Sequence, residues 1–451
     1  MATQELKHNR WSSKFVFILA ATGAAVGLGN IWKFPYEVAS NGGSAFVITY
    51  IICLACLGIP LLIAEMLLGR LGRANPIATL SKLAKENNTS QVWAALGWLN
   101  IITLICVLSF YSVVAGWSIK YFIASCMGVF VNIDNDSLNL FWQNTVANPV
   151  EIISYHALFM LLTIAVVIRG VNRGIETANK ILMPLLFIFL LILVGYSYTT
   201  PGFEKGWNFL FEFRYQDINF DTIIKAFGQT CFTLAIGAGC MLVYGSYVTD
   251  ETNLGETSYI IALVNLLVAV LIGLAIFPLI FSYGLTPIGG PGLIFQTIPI
   301  AFAKMKFGHL FGSLFFALIL FAAWTSSISM AEPVVIMLVE KHNLTRAKAG
   351  MITGTFTWLL GILSALSFNV WQDVHILGYN NFFTLITDVT TDFMLPIGIL
   401  GFAIFSGWKV RPEAIISGLN FKKQTTRKIW LFLIKYPAPI AVLSMLIWHG
   451  S

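Results

Sequence analysis

The sequence predicts an all-α, polytopic membrane protein with about eleven transmembrane helices, the first and sixth of them broken in mid-membrane. Three observations carry this prediction. Of 451 residues, 57% are hydrophobic and only 11% are charged, where a soluble domain carries about 25% charged residues. Apolar stretches recur along the chain at lengths that cross a bilayer, which takes roughly 20 residues as a helix. Two of these stretches hold glycines at their centres, although glycine weakens a helix by about 1 kcal/mol relative to alanine.

The apolar stretches fall at 15–41, 43–69, 92–127, 152–169, 178–199, 222–248, 257–285, 308–339, 346–368, 377–406 and 429–448. The segment 288–306, IGGPGLIFQTIPIAFAKMK, is too punctuated by Gly and Pro to span and reads as a long loop with its own helix. The N-terminal MATQELKHNRWSSK is polar. The apolar stretch after it is too long for a signal-peptide core and lacks an A-x-A site, so no cleavable signal is expected. Five of the six cysteines lie well inside apolar stretches and Cys126 at the end of one, and the CLAC run at Cys53–Cys56 reads as helix packing rather than a redox or metal motif.

Charge orients the chain. The net charge of +6 says little about nucleic acid in such a protein, and no nucleic-acid partner is expected. What matters is which loops are basic. With the N-terminus inside, only Lys33, Lys120, Lys205, Arg214, Lys225, Lys304, Lys306 and Lys435 of the 27 Lys and Arg fall outside. The reading is therefore a multi-pass protein of the plasma (inner) membrane, N-terminus cytoplasmic and, after eleven spans, C-terminus outside.

The first break reads GAAVGLGNIW, Gly23 to Trp32, with Gly23, Gly27 and Gly29 followed by Asn30. The second reads FTLAIGAGCMLVYGSY, Phe232 to Tyr247, with Thr233 before Gly237 and Gly239. Glycines in membrane helices often serve only close packing. Two matched breaks five spans apart instead suggest inverted five-helix repeats and a midplane binding site, the pattern of secondary transporters. Unwinding frees carbonyls and amides, which is tolerable in a membrane only where they line a protein cavity. Freed carbonyls can ligate a cation, and half-helix N-termini can hold a carboxylate. No nucleophile with a general base at usable spacing is evident, nor a metal-spaced His/Asp/Glu cluster, so an enzyme is not expected.

Four motifs are more specific. GAAVGLGNIWKFPYEVASNGGSAF (23–46), GIPLLIAEMLLGR (58–70), GQTCFTLAIGAG (228–239) and AAWTSSISMAEP (322–333) closely resemble the first, second, sixth and eighth helices of the neurotransmitter:sodium symporter family, the LeuT-like transporters. The resemblance covers nearly the whole chain. It implies the LeuT-like fold, a 5+5 inverted repeat plus one extra helix, as a single transporter domain over 1–451. The first repeat would be 11–199, the second 221–406 and the eleventh helix 429–448. The implied activity is sodium-coupled symport of an amino acid by alternating access. A membrane receptor or sensor of the same fold, binding an amino acid without moving it, is the alternative.

The resemblance also implies site residues. A first sodium would take the carbonyl of Ala25, the side chain of Asn30, the carbonyl and hydroxyl of Thr233 and the side chain of Asn265. A second would take carbonyls of Gly23, Val26 and Ala322 and the hydroxyls of Thr325 and Ser326. All are neutral oxygens, which suit a hard monovalent cation. Monoamine carriers of the family have an acid at the position of Gly27, so Gly27 implies an α-amino acid. Its carboxylate would meet the amides near Leu28 and Gly29, the first sodium and the Tyr111 hydroxyl. Its ammonium would meet carbonyls near Ala25, Phe232 and Thr233. Val107, Tyr111, Phe232, Ala235, Ala238, Ser326 and Met330 would hold its side chain. Nothing among them pairs a charge, so a hydrophobic L-amino acid is expected, leucine- or isoleucine-like first and aromatic second.

Lys33 would gate the outside through Asp388, with Asp392 as fallback. On the inside the family's Arg-x-x-Trp reads HNRW. Trp11 keeps its place, His8 stands at the Arg position, and Arg10 or Lys7 is the candidate partner of Glu340. Glu65, a carboxylate in an apolar helix, is functional by default and would brace the broken helices. Gly174 and Pro184 match the family's Gly-x9-Pro motif, where unwinding opens a water path to the second sodium. One or two sodium ions are thus expected. Chloride is left open: Tyr50 and Gln229 match its shell, but neither Asn265 nor Ala269 supplies the acid that replaces it in many bacterial members. Oligomeric state is also open.

Overall fold

The computed structural model describes residues 10–285, 292–421 and 423–450. Among the described residues, nine helices are long and apolar enough to cross a membrane: Ser44–Gly72, Gln91–Cys126, Pro149–Val167, Val171–Tyr198, Leu254–Ser282, Gly308–His342, Arg346–Leu366, Phe382–Lys409 and Gln424–Trp448. A tenth span is a bent pair, Lys14–Ala25 and Gly29–Ser40, whose axes diverge by 53°. The pieces Phe220–Thr233 and Cys240–Ser246 flank the second break. They lie where the sequence reading places the sixth of its eleven spans, and spans are numbered below in the order of that reading. No sheet forms among the described residues; Ile376 and Tyr379 make one isolated bridge.

Helix starts follow capping chemistry. Asn75, Asn148, Asn253 and Asn381 each accept a backbone N–H of the first turn through a side-chain oxygen, which satisfies donors that a helix leaves orphaned. Three span starts differ from the sequence reading by five residues or more, span 11 beginning at Gln424 rather than at 429. Span 5 begins at Val171, with widened turns over Val171–Glu176, and span 10 begins at Phe382 rather than at 377. The loop segment expected over 288–306 does carry a helix, Leu293–Ala303.

Burial sorts the spans. In the most apolar windows of spans 3 and 8, 78% of residues are buried, against 28% in span 11 and 33% in span 5. Spans 3 and 8 pack along each other at the centre. Outer spans show large apolar side chains such as Leu161, Leu191, Phe356 and Ile440, the composition lipid requires. The first half of span 1 packs among spans 5, 7 and 8, and Cys240–Ser246 lies on span 2. Both breaks therefore sit inside protein. At the first, Val26 turns extended (φ −84°, ψ 97°). At the second, Ala235, Gly237 and Gly239 have φ of 53°, 93° and 86°, a region that glycine enters without steric cost.

Candidate functional site

The two breaks face one cavity. Its wall contains all the residues expected around a substrate: Ala25, Gly27, Leu28, Gly29, Val107, Tyr111, Phe232, Thr233, Ala235, Ala238, Ser326 and Met330. Leu104, Ile236 and Leu395 join them. Leu104 precedes Val107 by three residues on the same helix, so helical spacing would have found it. Leu395 belongs to span 10, for which no sequence signal existed.

Backbone groups freed by the first break are caught by side chains of spans 3 and 8. The Leu28 N–H donates to the Tyr111 hydroxyl at 3.3 Å. Ser326 Oγ lies 3.2, 3.3 and 3.3 Å from the carbonyl oxygens of Gly23, Ala24 and Val26. Gly27 is glycine for want of space: a Cβ there would run into Ser326 Oγ and come within 3.0 Å of the Tyr111 hydroxyl. At Gly29 a Cβ would meet the Phe232 ring at 2.8 Å.

Beside the cavity, Asn30, Thr233 and Asn265 form a buried polar cluster. Asn30 Nδ2 donates to Asn265 Oδ1 at 2.8 Å. Asn265 Nδ2 donates to the Tyr50 hydroxyl at 2.9 Å, which lies 3.0 Å from Thr233 Oγ1. Asn30 Oδ1 is buried and accepts no hydrogen bond among the described residues. Buried acceptors are nearly always satisfied, so an oxygen left bare in this cluster fits a cation ligand. On the other side, Thr325 Oγ1 lies 3.1 Å from the carbonyl of Ala322, and the carbonyls of Gly23 and Val26 converge on Ser326. This is a second set of neutral oxygens gathered from spans 1 and 8.

The second break is braced from span 2. Glu65 accepts from the N–H groups of Gly237 at 2.7 Å, Met241 at 3.1 Å and Leu242 at 3.3 Å. Asn100 Nδ2 donates to the Gly237 carbonyl at 2.7 Å. Sequence reading singled out Glu65 as a lone carboxylate in an apolar run but missed Asn100, one polar residue in a long apolar helix.

Lys33 Nζ lies 5.0 Å from the centroid of the Phe232 ring, and among the described residues no ion pair joins it to Asp388. Phe232 and Tyr111 line both the central cavity and an outer vestibule that includes Lys33, Glu37 and Thr391. On the inner side Trp11 is buried; its indole N–H donates to the Tyr244 carbonyl at 3.0 Å and its backbone N–H to that of Tyr247 at 3.1 Å. Glu340 accepts from Asn75 N at 2.8 Å and Nδ2 at 2.7 Å. Lys7 and His8 lie outside the described residues. Gly174 and Pro184 sit in a continuously helical stretch of span 5.

A second inner network went unread in the sequence. Buried Glu332 accepts from the Tyr247 hydroxyl at 2.8 Å and pairs with Arg346 at 2.5 Å. Glu176 accepts from Ser12 N at 2.8 Å and Ser12 Oγ at 2.7 Å. The rule that found Glu65 applies equally to Glu332, in AAWTSSISMAEP.

The model of the sodium:neurotransmitter symporter family matches residues 8–134 and 134–448. The chain belongs to that family. Among curated relatives, an uncharacterized sodium-dependent transporter of Bacillus subtilis (strain 168) is 34% identical over 97% of each chain. Another sodium-dependent transporter, from Haemophilus influenzae, is 34% identical over 99% of each. Among solved structures, the crystal structure of MhsT in complex with L-phenylalanine superimposes with a TM-score of 0.90 at 35% identity, covering 97% of this chain and 99% of that one. The all-α fold with interrupted first and sixth spans is thus that of a symporter family, and these relatives are described as transporters, not enzymes.

Proposed function

We propose that this protein is a sodium-coupled symporter of hydrophobic L-amino acids working by alternating access, with its N-terminus cytoplasmic and its repeats at 11–199 and 221–406. The observation that carries the reading is the cavity between two broken helices, walled by apolar side chains and flanked by two sets of neutral oxygens. Ala25, Asn30, Thr233 and Asn265 would hold one sodium, and Gly23, Val26, Ala322, Thr325 and Ser326 the other. The substrate's carboxylate would sit against Leu28 N–H and the Tyr111 hydroxyl. Ala235 and Ala238 leave side-chain room, and the phenylalanine bound in MhsT supports extending the range from leucine to aromatic residues. Lys33 with Asp388 would gate the outer vestibule, and Trp11, Glu340, Gly174 and Pro184 would act on the cytoplasmic side.

Accumulation of labelled leucine in proteoliposomes tests this reading. Uptake is expected with an inward sodium gradient and not with choline, and phenylalanine is expected to compete. Equal uptake in choline would remove the sodium coupling, and sodium-dependent binding without flux would favour a receptor. The same assay in gluconate reads any chloride requirement.

The second cation position has its own test. Thr325→Ala combined with Ser326→Ala removes two oxygens and is expected to raise the sodium needed for half-maximal leucine binding by about tenfold or more, the scale of one or two lost ion contacts. Sodium that still protects inner-pathway cysteines at the wild-type level would count against that site.

A further inference from the structure

Span 5 carries a buried polar group that the proposed machinery leaves unused. Asn179 is 0% exposed and lies between Gly174 and Pro184. Its Nδ2 donates one turn back, to the Ile175 carbonyl at 2.9 Å. Its Oδ1 is buried and accepts no hydrogen bond among the described residues. The two ends of the amide are not interchangeable, because the end that faces a carbonyl must be the donor.

The bare oxygen points at the first break. A Cβ on Gly23 would collide with Asn179 Oδ1 and would lie 3.2 Å from Thr325 Cβ. Asn179, Gly23 and Thr325 therefore meet at one point, where the first half of span 1 touches spans 5 and 8. Gly23 and Thr325 belong to the second cation position. The hydroxyls nearby are already committed, Thr325 to the carbonyls of Phe321 and Ala322 and Ser326 to those of span 1. Among the described residues no donor reaches the amide oxygen, and an acceptor held away from water without a partner loses hydration for nothing in return. A cation beside it supplies the missing interaction.

We infer that Asn179 Oδ1 is a further oxygen ligand for sodium at the second position, an assignment that rests on the cation site proposed above. A neutral amide oxygen matches the chemistry of the other donors there. The same side chain holds the Ile175 carbonyl inside the Gly174–Pro184 stretch. A change in the winding of that stretch would move the oxygen away from the ion, so the residue ties the cation's hold to the conformation of span 5.

The test is binding of radiolabelled sodium to the purified full-length protein at saturating leucine, pH 8, with choline keeping ionic strength constant. Asn179→Leu, nearly isosteric but without the oxygen, is expected to raise half-saturating sodium about tenfold, one lost charge-assisted contact. Asn179→Asp keeps the oxygen and adds charge, and is expected to lower half-saturating sodium at least about threefold, as an opposite charge beside a poorly solvated cation should. Wild-type titrations in both variants overturn the inference. If Asn179→Leu does not fold, the direction of the Asp shift decides alone. Thr325→Ala with Ser326→Ala is run alongside. If that double variant shifts and Asn179→Leu does not, only the assignment of Asn179 falls; if the double variant does not shift, the second cation position falls and this inference with it.

Discussion

Gly27→Asp is expected to weaken leucine binding by at least about a hundredfold while sodium binding survives, because a carboxylate in a poorly solvated cavity repels another far more strongly than in water. The new side chain would enter the corner where the Leu28 N–H meets the Tyr111 hydroxyl, the place proposed for the substrate's carboxylate. Amines without a carboxylate, such as isoamylamine, should lose much less affinity or gain some, since their ammonium would find a partner. Crowding is the competing explanation, because any Cβ at Gly27 meets Ser326 and Tyr111. Gly27→Asn separates the two, being nearly the same size without the charge. Equal damage to leucine binding by Asn and Asp, with no relative preference for the amine, would show that the substrate's carboxylate does not occupy this corner.

Glu65→Leu is expected to yield no folded protein. The carboxylate accepts from three buried amides at the second break, and each donor stranded by its loss costs about 1–3 kcal/mol. Three such losses approach the roughly 5–15 kcal/mol that stabilises an ordinary fold. Glu65→Gln retains one acceptor oxygen but turns an amide NH2 toward backbone donors. It is expected to fold with substrate affinity reduced about tenfold, one net hydrogen bond to a charged group. The readouts are monodispersity after extraction and equilibrium leucine binding. Wild-type yield from the Leu variant would mean that the 234–239 turn holds without this brace.

The legibility of the site divides along a physical line. Gly237 and Gly239 announced the second break because glycine carries its conformational freedom in its own backbone, and their positive φ values follow. Glu65 was legible because a carboxylate among apolar residues is costly without a partner. Its three partners were not, since Gly237, Met241 and Leu242 meet it only when spans 2 and 6 pack. The convergence of Val107, Tyr111, Ser326 and Met330 on one cavity came through the family resemblance; the composition of spans 3 and 8 says only that they cross the membrane. Asn100 and Asn179 carry no signal in the sequence, because a single amide in an apolar helix more often bonds its own backbone. In each of them one end of the amide reaches past its own helix, and the sequence has no mark for that.

By itself the sequence determined that the chain crosses the membrane many times, roughly where the apolar helices lie and where two of them are interrupted, because bilayer thickness and the need to pair every backbone group act on each segment separately. Only the tertiary structure decided which polar atoms pair and which stay bare. Lys33 lies over Phe232, Glu340 accepts from the backbone and side chain of Asn75, and Asn30 Oδ1 and Asn179 Oδ1 find no hydrogen-bond partner among the described residues. These outcomes depend on distances and angles between residues far apart in the chain. A hydrogen bond weakens steeply with both, so packing selects partners that no local pattern encodes.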